Sequence, residues 1–187
     1  MTPFTAWILS LIVYLAPPER LASLPQFKGW EETAEQKQAR YISIAEDIGE
    51  VSRDRAPKHP EKAASLLVSL AFMEGGFAKD VDVGPCYRPL PTSPRCDGGA
   101  AVSLWQIRIG EGSTPEGWGK QELQSDRRKA ARVALRMAWQ SIKNCAGRGR
   151  DAGLRAYASG TCEHGQEASA ARLGLARRLL ERFPWNQ

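Results

Sequence analysis

The tightest constraint in this chain is the segment Leu66-Leu67-Val68-Ser69-Leu70-Ala71-Phe72-Met73, an apolar helical run that stops at Glu74-Gly75-Gly76-Phe77. On a helix, Leu67, Leu70 and Ala71 lie seven, four and three positions before Glu74 and share its face, so the carboxyl gets an apolar lining. Paired glycines are a helix stop, which places Glu74 in the last turn, at the negative end of the helix dipole. Desolvation and dipole both disfavour the anion and raise its pKa. A carboxylic acid still protonated near neutral pH is what general acid catalysis needs. The same pattern also fits a glutamate at a frayed helix end facing solvent, and the segment alone leaves both readings open.

The rest of the pattern is helical almost throughout. Tyr41, Ile44, Ile48 and Val51 recur at three- and four-residue steps and make residues 31–54 one amphipathic helix. Pro57 and Pro60 end it and start the helix that leads to Glu74, with His59 in the surface turn between. Residues 85–97 form a loop rich in Pro, Gly and Cys, and only residues 100–109 read as extended. Residues 120–144 read as one long helix, 151–159 as a short one and 166–182 as the last, closed by Phe183-Pro184. The pattern predicts a mainly α domain with a small β element, spanning residues 28–187. Residues 1–27 are a hydrophobic segment and linker. The apolar run Phe4–Ala16 is shorter than the ~20 residues of a membrane-spanning helix. It reads as signal-like or membrane-associating, although no Lys or Arg precedes it, or else as a hydrophobic helix packed on the domain.

Composition is ordinary for a folded domain, with 42% hydrophobic and 25% charged residues. The net charge of +5 suits an anionic partner, whether nucleic acid, an anionic membrane surface or a cell-wall polymer. The basic residues are dispersed, as in Arg127-Arg128-Lys129 and Arg177-Arg178, which favours solvated helix faces over a nucleic-acid-binding tract. Cys86, Cys96, Cys145 and Cys162 allow three pairings, of which the sequential one, Cys86–Cys96 and Cys145–Cys162, is the simplest. Such bridges persist in a periplasmic or extracellular setting. Reduced thiols, or a metal held by Cys162 and His164, are the alternatives. With no Cys-x-x-Cys and only two histidines, neither a metal nor another cofactor is expected.

Two further segments give the glutamate a context. Ser103-Leu104-Trp105-Gln106-Ile107 sets one amide in a short apolar stretch, and Ala156-Tyr157-Ala158-Ser159-Gly160 ends a helix with a phenol. Together with Glu74-Gly75-Gly76-Phe77, in this order, they resemble the motifs of the soluble lytic transglycosylases and goose-type lysozymes, over roughly residues 60–182. Three departures stand out: Gly75 replaces the usual Ser after the acid, Ser103 the usual Gly, and Ala158 the usual Asn. The distance from Glu74 to Gln106 is also longer than in the family, the excess lying in the loop from Asp80 to Gly99.

The resemblance implies a lysozyme-like helical fold and cleavage of the β-1,4 bond between N-acetylmuramic acid and N-acetylglucosamine in peptidoglycan glycan strands. Glu74 would be the single general acid and base. Gln106 and Ser103 would contact sugar, and Tyr157 would hydrogen-bond near Glu74 and orient it. If the muramyl 6-hydroxyl attacks, the enzyme is a lytic transglycosylase; if water attacks, it is a lysozyme, of cellular or phage origin. Hydrolysis by inversion needs a second carboxylate across the sugar, for which Asp97 and Asp82 are the candidates. A non-catalytic wall-binding or phage structural protein would keep the same fold without the activity.

Overall fold

A computed structural model describes residues 1–19, 29–84, 96–110 and 112–186. The order of elements is α1 (Pro3–Leu15), α2 (Ala34–Arg55), α3 (Pro60–Gly75), α4 (Lys79–Asp82), α5 (Cys96–Gly99), β1 (Ala101–Val102), β2 (Ile107–Arg108), α6 (Lys120–Ser125), α7 (Arg127–Asn144), α8 (Arg155–Ser159) and α9 (Gln166–Arg182). The chain is mainly helical, with one two-stranded antiparallel sheet that pairs Ala101 with Arg108 and Val102 with Ile107.

The helix ends follow local chemistry. Thr33 and Gln36 form a reciprocal capping box at the start of α2. Proline occupies the first turn of α3, where its missing N–H has no partner to lose. Gly76 ends α3 in the left-handed region, φ 56°, and donates its N–H to Phe72 O. The expected single helix over residues 120–144 is two helices. Asp126 takes an extended conformation and its carboxylate accepts from Lys129 N, so a polar residue that competes for backbone donors caps a new helix and interrupts the old one.

α3 is the hub, packed against α1, α2, α7 and α9. Its central residues from Ala63 to Ala71 are buried without a solvent face, as its composition demands. α1 belongs to this core: Phe4, Ile8, Leu11 and Ile12 are buried, and Trp7 Nε1 donates to Phe183 O at 2.8 Å, closing the C-terminal end over the first helix. The N-terminal run is thus a helix packed on the domain in this structure. Among the described residues no helix is long and apolar enough to cross a membrane.

Cys145 at the end of α7 is bonded to Cys162 beyond α8, which fixes the short helix carrying Tyr157. Cys96 is disulfide-bonded too, but Cys86, its expected partner, lies outside the described residues. Among the described residues no cluster of His, Cys, Asp and Glu is arranged to hold a metal.

Asp82 is not a catalytic candidate. Its carboxylate is fully buried between Arg40 Nη1, at 3.1 Å, and Arg127 Nε, at 2.6 Å, so it ties α4 to α2 and α7. Glu32 pairs with the same Arg40, and Asp47 with the same Arg127. Removing one member of such a network leaves charge without compensation in a desolvated place, which costs more than the intact network contributes. Asp82→Asn is therefore expected to destabilise the fold by about 3 kcal/mol, read from the urea unfolding midpoint. A loss below about 1 kcal/mol would mean that Glu32 and Asp47 satisfy both arginines unaided.

Candidate active site

The C-terminal turn of α3, the α5 turn, the start of β2 and α8 enclose a cleft of about 660 Å³. Glu74, Asp97, Gln106 and Tyr157 all line it, so residues up to 83 positions apart in the chain meet at one site. Phe72, Met73 and Met137 supply apolar wall.

Glu74 sits where the apolar run predicts, on the wall, with its side chain 17% exposed. Burial pushes its carboxyl above the ordinary carboxylate range, against the opposing pull of Arg172, and the nearby negative charge of Asp97 adds to the upward shift. The carboxyl is thus reachable from the cleft but poorly solvated. Arg172, on α9, holds it through Nε at 2.8 Å and Nη2 at 2.6 Å. The sequence gives no sign of this partner, which is one of 26 basic residues and lies almost a hundred positions downstream.

Gly75 follows from packing. A Cβ there would come within 2.9 Å of Val81 Cγ1, closer than real Cβ atoms approach, with Leu104 O in ordinary contact at 3.4 Å. The serine usual at this position in the resembling family has no room between α3 and α4.

Gln106 is drawn into the site by a turn. Residues 103–106 link β1 to β2, and Gln106 N donates to Ser103 O at 3.1 Å. Its amide Nε2 donates to Ser103 O at 3.0 Å and lies 3.2 Å from Cys96 Sγ, so the side chain is braced along the cleft wall. Ser103 does not face the cleft as expected. It is buried, with φ 65°; its N–H donates to Gln124 Oε1 at 2.9 Å and its hydroxyl lies 3.4 Å from Trp105 N. A serine spent on shaping a turn has no hydroxyl left for sugar.

Tyr157 lines the cleft but does not bond to Glu74. Its hydroxyl donates to Trp105 O at 2.7 Å, and burial, with the charge of Glu74 adding, raises its pKa. Trp105 is in turn fully buried, with Nε1 donating to Leu67 O at 3.0 Å. Tyr157 therefore steadies the turn that presents Gln106, and orientation of the acid falls to Arg172.

Asp97 stands in the α5 turn, its side chain 57% exposed and 3.5 Å from Arg108 Nε. It is the second carboxylate of the cleft. Glu74, Asp97 and Gln106 together offer a poorly solvated acid, a solvated anion and an amide around a space large enough for sugar rings.

Tyr157→Phe removes one hydrogen bond from the carbonyl of Trp105 and leaves the ring packed. The expected loss is about 1 kcal/mol in thermal or urea unfolding. Turnover on a substrate of the cleft should fall further than stability, because Gln106 hangs from the loosened turn. A drop in melting temperature with unchanged turnover would make Tyr157 purely structural.

No known protein family, curated protein or solved structure matches the chain, so the reading of this cleft rests on its residues and geometry.

Proposed function

We propose that the chain cleaves the β-1,4 glycosidic bond between N-acetylmuramic acid and N-acetylglucosamine in peptidoglycan, as a lytic transglycosylase with Glu74 as its single general acid and base. The observation that carries this reading is the carboxyl of Glu74 on the wall of an open cleft, part-buried and shifted toward its neutral form. A neutral carboxyl can give its proton to the glycosidic oxygen as the bond to the anomeric carbon breaks. The resulting carboxylate then takes the proton of the attacking hydroxyl as the new bond forms at that carbon. With the muramyl 6-hydroxyl as attacker, the product is a 1,6-anhydro sugar and no water is consumed.

Gln106, which lines the same cleft, would hold a substrate amide or the attacking group. The disulfides fit an enzyme working in the periplasm or outside the cell, whether exported or delivered by a phage. Asp97 supports a second reading, a hydrolytic lysozyme, since it faces the same cleft and its charge is felt by Glu74. In that case it would orient or deprotonate the water.

Mass spectrometry of muropeptides released from purified wall separates these readings, because anhydro and reducing ends differ by one water. Glu74→Gln keeps the shape of the side chain but cannot give and retrieve a proton, so cleavage should fall by about 10²–10⁴-fold. Retention of more than about a tenth of the activity would exclude Glu74 as the acid. The sign of the pH dependence follows from the neutral form being active. The rate should hold at low pH and fall as pH rises through the raised pKa of Glu74. Release of nothing by the wild-type chain would leave a non-catalytic wall-binding protein.

A further inference from the structure

We propose that Arg172 is a positioning residue that assigns the two oxygens of Glu74 different tasks, fixing Oε1 and leaving Oε2 to carry the proton into the cleft. The inference rests on the reading of Glu74 as a general acid and adds which atom acts and what selects it.

Nε of Arg172 donates to Oε1 at 2.8 Å, and Nη2 makes its ion-pair contact with the same atom at 2.6 Å. Among the described residues no donor reaches Oε2. A guanidinium has donors only and accepts no hydrogen bond. When Glu74 is neutral, the guanidinium therefore favours the stronger acceptor, the carbonyl oxygen, at Oε1 and the O–H on Oε2. When Glu74 is ionised, the same hydrogen bond and ion-pair contact hold the charge at Oε1 and leave Oε2 as the oxygen to take a proton. One clamp thus selects the same working atom before and after transfer.

The clamp is itself held. Nη1 of Arg172 donates to Ala168 O at 2.9 Å, one turn back on α9, and Arg172 O accepts from Ser69 Oγ at 2.7 Å, across to α3. The guanidinium is thus braced by its own helix, and its backbone by the helix that carries Glu74. Its side chain is 12% exposed, so few waters compete for its donors.

The arrangement opposes protonation through charge, yet burial and Asp97 outweigh it. The groups that face Glu74 or line its cleft are Arg172 from α9, Asp97 from α5, Arg108 from β2 and the neutral phenol of Tyr157 from α8. Arg172 is the one of these in contact with the carboxyl.

The test uses the full chain with ¹³C-labelled glutamate, the Glu74 carboxyl signal being assigned by its loss in Glu74→Gln. In Arg172→Gln the titration midpoint of Glu74 should rise, because an adjacent cation is gone. The alkaline limb of the kcat profile should move the same way, and kcat should fall by about 10²-fold with a smaller change in KM, as expected of a misplaced acid. Arg172→Lys keeps the charge but not the two-pronged grip, so it should restore the midpoint and leave kcat low. An unchanged midpoint in Arg172→Gln, or full turnover in Arg172→Lys, overturns the clamp. Muropeptide release by the wild-type chain is scored separately. A wild-type chain that releases none, with the midpoint still shifting in Arg172→Gln, removes the proposed reaction and retains the clamp on Oε1.

Discussion

Burial of α3 on every side is the constraint from which the cleft follows. A helix whose residues from Ala63 to Ala71 are all buried has to be enclosed by α1, α2, α7 and α9, and it can meet solvent only at its ends. Its C-terminal end is the one that opens, because Gly76 turns the chain away in the left-handed region. Glu74 is thus delivered to the boundary between core and cleft. The helix also anchors the opposite wall: Leu67 O accepts from Trp105 Nε1, so the hairpin that carries Gln106 is registered against the helix that carries the acid. Wall and acid share one rigid reference.

That placement explains how a glutamate can be paired with an arginine and still be shifted toward its neutral form. An exposed Glu–Arg pair leaves the carboxylate hydrated and anionic. Here the carboxyl has lost much of its water to the core, and the negative charge of Asp97, lining the same cleft, adds to the shift. Arg172 returns part of the lost solvation at one oxygen only. The balance differs at Asp82, where two arginines surround one carboxylate and no cleft opens. Two acids expected as alternatives for one role are therefore separated by what encloses them: Asp82 has become structure, while Asp97 remains solvated and available.

Periodicity and helix stops make most of the architecture legible in the sequence, since α2, α3 and α9 begin and end within a few residues of where their apolar steps and glycines or prolines put them. Glu74 is legible for the same reason: its burial depends on neighbours three, four and seven positions away. Residues whose surroundings come from distant segments are not. Arg172 could be recognised only by knowing that α9 lies on α3. The resemblance implies a sugar-facing Ser103, and nothing local reveals that Gln124, on α6, claims its backbone N–H. The break at Asp126 was hidden because apolar steps continue on both sides of it, and capping strength decided the matter.

Backbone conformation converges on the same place. Of the six non-glycine residues with positive φ among those described, Phe77, Cys96, Asp97, Ser103 and Gln106 lie between α3 and β2, and only Asp151 lies elsewhere. Each such residue costs of order 1 kcal/mol, so this stretch is expensive to hold. All five have a visible restraint. Phe77 O accepts from Arg40 Nη2, Cys96 is in a disulfide, Ser103 N donates to Gln124, and Gln106 N and Nε2 both donate to Ser103 O. Asp97 O accepts from Ala100 N at 3.3 Å, and its carboxylate lies 3.5 Å from the exposed Arg108. If the strain served folding alone, glycine at these positions would relieve it, and the side chains of Asp97 and Gln106 would not need to reach the cleft. Both do reach it, lining the same cleft as Glu74, so the strained residues and the acid share one site.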